Sequence, residues 1–103
     1  MDTETRVYTR YSILTEDINR GEVARLCREH RIDCTLYAGV GLFNGNIEES
    51  LTVVHLAPLE ANVREEIKAL ARDIKAENNQ REIWITEETV TLKKLLDNVP
   101  AIG

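Results

Sequence analysis

Nowhere does the sequence run to the roughly 18 consecutive apolar residues that a membrane-crossing helix needs, so no spanning segment is expected. Cysteine is scarce as well. Cys27 and Cys34 are the only two, too few for a disulfide framework and no sign of an oxidising compartment. The opening, Met1-Asp2-Thr3-Glu4-Thr5, is acidic and polar where a secretory leader is basic and then apolar, which sets a cytoplasmic location as the expectation. Positive charge is outnumbered, with 13 Lys and Arg against 18 Asp and Glu and a net charge of −5. Nucleic-acid affinity rests on neutralising phosphates, so this balance argues against a nucleic-acid partner. Catalytic equipment is missing too. There is no glycine-rich loop leading from a strand into a helix, no P-loop and no G-x-S-x-G elbow. The expectation is a non-enzymatic protein without a cofactor.

What is present is one modest domain, 1–103, with 43% hydrophobic and 30% charged residues, enough for a single core. Its organising stretch is Asp33 to Ala57, two apolar arms around Phe43-Asn44-Gly45-Asn46. Asn-Gly between alternating runs is a strong hairpin signal, because both central residues of a type I′ turn need positive φ. A two-residue loop pairs Phe43 with Asn46 and fixes the rest: Leu42 with Ile47, Ala38 with Leu51, Leu36 with Val53, Tyr37 with Thr52, Thr35 with Val54, Cys34 with His55. Gly39 and Gly41 lie mid-strand, where glycine marks a bulge or a close approach.

Before the hairpin, Val7 to Ile13 alternate as a first strand. Asn19 caps a helix, with Glu22 answering it, Ile18 stapling onto Val23, and the helix ending near Arg31. After the hairpin, Leu59 to Asn78 reads as the longest helix, with Val63, Ile67, Leu70 and Ile74 as its stripe. Ile83 to Thr86 alternate as a fourth strand. Residues 1–4 are set apart as a flexible start. Residues 89–103 form an apolar tail, with a short fifth strand at Thr89 to Leu92 and a helical turn before Pro100, packing on the sheet or on a neighbouring subunit. The order is βαββαβ, an α+β, ferredoxin-like arrangement: strand order 4-1-3-2, both helices on one face.

The other face then needs company. It carries Tyr8, Tyr37, Val54, Leu56 and Trp84, a patch of the kind that marks contacts. A homo-oligomer stacking its sheets, the chain's own tail, and an aromatic platform for bases all fit such a face; the acidic charge disfavours the last. A second constellation is Cys27, His30, Cys34 and His55, two thiols and two imidazoles in reach of tetrahedral zinc, although small buried cysteines and hydrogen-bonded histidines explain the same residues. Glu48 and Glu49 beside the hairpin tip point to opposite faces, so they form no dyad.

Phe43-Asn44-Gly45-Asn46-Ile47-Glu48-Glu49, followed by an apolar strand and a long helix, resembles the hairpin of the CutA-type divalent-ion tolerance proteins. Those are ferredoxin-like trimers related in shape to PII signalling proteins, which bind small ligands between subunits. Gly39, Gly41, Gly45, Glu49, Ser50, Asn79 and Gln80 also resemble the pattern of small ferredoxin-like domains from phages and mobile elements. These likenesses imply a homo-oligomer that binds a host protein or sequesters a small signal molecule. The alternatives are a metal-binding protein built on the Cys/His cluster, or a CutA/PII-like ligand-binding regulator.

Overall fold

The computed structural model describes residues 2–96 of the chain. Its elements are β1 (Asp2–Glu16), α1 (Arg20–Glu29), β2 (Thr35–Phe43), β3 (Asn46–Pro58), α2 (Arg64–Glu77) and β4 (Trp84–Leu96). The strands form one antiparallel sheet in the order β2-β3-β1-β4, and the fold is ferredoxin-like, as the sequence predicts. No helix among the described residues is long and apolar enough to cross a membrane.

The core lies between the sheet and the two helices. Tyr11 and Ile13 of β1 and Leu51, Val53 and Ala57 of β3 are buried against Val23, Leu26 and Cys27 of α1 and Ile67, Leu70, Ala71 and Ile74 of α2. The odd-numbered residues of the two central strands meet the helices because side chains alternate across a pleated sheet.

The hairpin register is the one that the two-residue loop dictates, from Phe43↔Asn46 to Thr35↔Val54. Asn44 and Gly45 both sit at positive φ, 50° and 78°. There is no bulge, since Gly39 pairs with Ser50 and Gly41 with Glu48. Gly41 serves a close approach instead: a Cβ there would come within 2.3 Å of the Phe43 ring.

Several boundaries depart from the sequence reading. Residues 2–4, set apart as flexible, are part of β1, where Asp2, Thr3 and Glu4 face Leu96, Leu95 and Lys94 of β4. Likewise residues 89–96 are no separate tail or fifth strand but the continuation of β4; the helical turn expected before Pro100 lies outside the described residues. The carboxylate pair Glu87-Glu88 looks like a break in an apolar pattern. It is tolerated because Arg10, directly opposite, binds Glu88 at 2.8 Å, and Arg64 grips Glu87 at 2.7 and 3.1 Å. These Arg64 hydrogen bonds also hold the Glu87 carboxyl below its ordinary pKa. Helix α2 starts later than Leu59 because Ala61 N–H closes a turn onto Pro58 C=O at 2.9 Å. At α1, Asn19 caps as expected, accepting from Glu22 N–H at 3.4 Å. The rest of that cap differs: the Glu22 side chain pairs with Arg25 at 2.8 Å, and Ile18 is exposed.

Leu70 is fully buried, so Leu70→Ala should cost about 2–5 kcal/mol of stability in chemical denaturation. His30 at the end of α1 bridges to α2, with Nδ1 3.0 Å from Glu66 and Nε2 2.7 Å from Asp73. Hydrogen bonds that the ring donates to Glu66 and then to Asp73 raise its pKa above the ordinary histidine value. A raised folded-state pKa means that the bridge contributes fully below the unfolded value, roughly 6.5, and is lost as pH rises through the folded one. The carboxylates face solvent, which limits the contribution to no more than about 1 kcal/mol. Denaturation midpoints should therefore decline in the wild type as pH rises above the ordinary histidine value, and His30→Gln should flatten that slope.

Candidate functional site

Even-numbered residues of β1, β3 and β4 and odd-numbered residues of β2 point away from the helices. Paired positions bring them into rows: Tyr37, Thr52, Leu14 and Trp84 span the sheet from edge to edge, with Thr35, Val54, Ser12 and Thr86 as the next row. Tyr37 is 58% exposed, Leu56 43% and Trp84 63%, while Tyr8 and Val54 are half-buried. All five residues of the predicted face thus share one side of the sheet, and no described element of the chain covers it. A shallow groove of about 540 Å³ crosses this face beside Tyr37, Val54, Leu56, Val90 and Leu92.

At the rim of the face is a second concavity of about 460 Å³. Its origin is the unequal reach of the strands. Strand β1 ends at Glu16 opposite Ser50, and β4 begins at Trp84 opposite Leu14. The β2–β3 hairpin runs on past both, leaving a notch between its tip and the start of β4. Leu14, Trp84 and Phe43 supply apolar walls, and Glu16, Glu48, Glu49 and Glu82 surround them. No lysine or arginine lines it.

One wall of the notch is held by a polar network that pattern reading missed. Asn78, buried at the end of α2, shares the two hydrogens of Nδ2 among three acceptors, Glu16 C=O at 3.2 Å, Thr15 Oγ1 at 3.1 Å and Gln80 Oε1 at 3.1 Å. Thr15 Oγ1 in turn donates to Gln80 Oε1. A carbonyl can only accept, so Glu16 C=O fixes which end of the Asn78 amide faces it, and Asn78 then fixes Gln80. Asn78 Oδ1 is left buried without a partner, a cost that the rest of the network offsets. Backbone geometry prepares the arrangement: Asn79 takes φ 52° and Gln80 N–H bonds back to Lys75 C=O at 3.0 Å, the kind of left-handed helix stop that asparagine tolerates.

The Cys27, His30, Cys34 and His55 quartet does not converge. His30 turns both ring nitrogens to Glu66 and Asp73, and His55 Nδ1 lies 2.6 Å from the Asp33 carbonyl oxygen. Burial, and then the neighbouring Cys34, push the Cys27 thiol up to about 12, as befits a small buried hydrophobe. Among the described residues no three His, Cys, Asp or Glu side chains are grouped to hold an ion. At the hairpin tip Phe43, Asn44, Gly45, Glu48 and Glu49 are exposed, and of these all but Gly45 line the notch.

No protein-family model matches the sequence, and no curated protein matches it. Solved structures do match in shape. CPII, a nitrogen regulatory PII-like protein from Thiomonas intermedia K12, superposes in its apo form with a TM-score of 0.61 at 9% identity, over 91% of this chain and 100% of that one. Its complex with ADP, AMP and bicarbonate gives 0.59 at 8% identity, over 90% and 100%. A phage SAM lyase in complex with S-methyl-5'-thioadenosine gives 0.61 at 11% identity, over 84% and 90%. At these identities the likeness is one of fold: the chain is built like a PII-like regulator and like a phage enzyme.

Proposed function

We propose that the protein is a homo-oligomeric module that binds a small adenosine-type ligand at the rim of its subunit contacts. The observation that carries this reading is the uncovered sheet face, on which Tyr37, Leu56 and Trp84 stand exposed around half-buried Tyr8 and Val54. Contiguous apolar surface of this kind is stabilised by burial against a copy of itself. The ligand half draws on the notch beside that face and on two fold neighbours whose bound molecules, ADP and AMP in one and S-methyl-5'-thioadenosine in the other, share an adenosine unit. The lyase neighbour supports a second reading, chemistry on the ligand rather than its capture. Mass spectrometry of the recovered ligand separates the two: an intact molecule favours a binder, and a cleaved one favours an enzyme.

Native mass spectrometry of the full chain should report a multiple of the protomer mass. Tyr37→Glu, which places a charge on the apolar face at its β2 edge, should shift that mass towards the monomer while leaving the circular dichroism spectrum unchanged, since Tyr37 is exposed and outside the core. A wild type that stays monomeric at high concentration would remove the oligomer from this reading. Calorimetric titration with ADP, AMP and S-methyl-5'-thioadenosine tests the ligand half separately, and heat from at least one of them is expected.

A further inference from the structure

The notch between the hairpin tip and the start of β4 can be read one step further, resting on the proposal above that the protein takes an adenosine-type ligand. We infer that it is a site for an adenine nucleoside without phosphate, and that Gln80 is the residue that selects the base. Gln80 Oε1 faces two donors, Asn78 Nδ2 at 3.1 Å and Thr15 Oγ1. The amide therefore has a single orientation, since a flipped Gln80 would set its own N–H groups against those of Asn78. What remains for a ligand is Nε2, whose one partner is the distant Glu82 C=O at 3.4 Å. A purine laid against Trp84 and Leu14 would meet an obligate donor at Gln80 and carboxylate acceptors at Glu48 and Glu82.

Adenine answers that arrangement with a ring nitrogen that accepts and an exocyclic amine that donates. Inosine, which has a carbonyl in place of the amine, would turn an acceptor towards the carboxylates. Phosphates fare worse, because four glutamates and no basic residue line the notch. Like charges at such range repel by about 1 kcal/mol even in water and more near a protein surface.

The test uses the intrinsic fluorescence of the full-length chain, which has a single tryptophan, Trp84. Adenosine should quench or shift this emission on stacking, with an affinity at least about tenfold above inosine and above ADP, the size of one hydrogen bond turned repulsive. Gln80→Glu keeps the acceptor oxygens that Thr15 and Asn78 need but replaces the donor, so it should weaken adenosine at least about tenfold while the oligomer mass and melting curve hold. Thr15→Val, which removes one of the two donors that hold the amide, should cost a smaller factor and blur the preference for adenosine over inosine. ADP or inosine binding as tightly as adenosine, or Gln80→Glu binding unchanged, overturns this inference and leaves the broader ligand proposal standing. Silence of the wild type towards adenosine, ADP and S-methyl-5'-thioadenosine alike, at millimolar concentration, overturns both.

Discussion

A helix advances about 1.5 Å per residue and a strand about 3.3 Å, and this mismatch governs the molecule. The 14 residues of α2 span roughly 21 Å, whereas the 15 residues of β1 span roughly 50 Å. Two short helices can therefore roof only the middle of the sheet. The principal extents, 51 × 29 × 28 Å, record the overrun. On the helix side of the hairpin, Val40, Leu42 and Ile47 are 73%, 71% and 76% exposed because no helix reaches them. At the opposite end β1 and β4 run on as a two-stranded ribbon past Pro58, where β3 stops.

The same geometry makes the notch. In a sheet with strands of equal length, the corner beyond Glu16 would be filled by the next strand, and its polar backbone would be paired. Here β3 continues alone beside β2, and the corner is lined by side chains from β1, the hairpin tip and the approach to β4. Strand ends and the turns next to them are where a rigid scaffold can present polar groups without losing its ladder. Gln80 is such a group, held on the core side by Thr15 and Asn78 and open on the other.

The hairpin was legible down to individual pairs, because Asn44-Gly45 leaves one loop length and a loop length leaves one register. The core stripes followed from periodicity, which burial enforces directly, and the strand order from the arrangement that a βαββαβ chain usually takes. The reach of β4 did not. Glu87-Glu88 interrupts the apolar alternation, and only the partner strand and α2 reveal that Arg10 and Arg64 neutralise the two carboxylates. The histidines misled for a related reason. Spacing brings Cys27 and His30 within a helical turn, yet His30 faces α2, whose carboxylates sit 36 and 43 residues further along the chain. The Thr15, Asn78 and Gln80 network carries no periodic signal at all, since a buried polar contact between residues 63 apart depends on where two elements end. The one trace of it in the sequence is Asn79-Gln80 ahead of the last strand.

An exposed apolar face and an acidic notch at its edge are not independent features. If copies stack through the row that runs from Tyr37 to Trp84, the indole sits at the border of the contact, with one side towards the partner and the other towards the notch. Packing on the first side would restrict the ring and prepare the second for a flat ligand, because a wall that is already ordered loses less entropy on binding. Assembly and ligand capture would then be linked, and linkage is reciprocal: a ligand that prefers the assembled form must also strengthen the assembly. On the proposed reading, the site's dependence on assembly would reduce to the mobility of a single ring, and Trp84 is placed to report it.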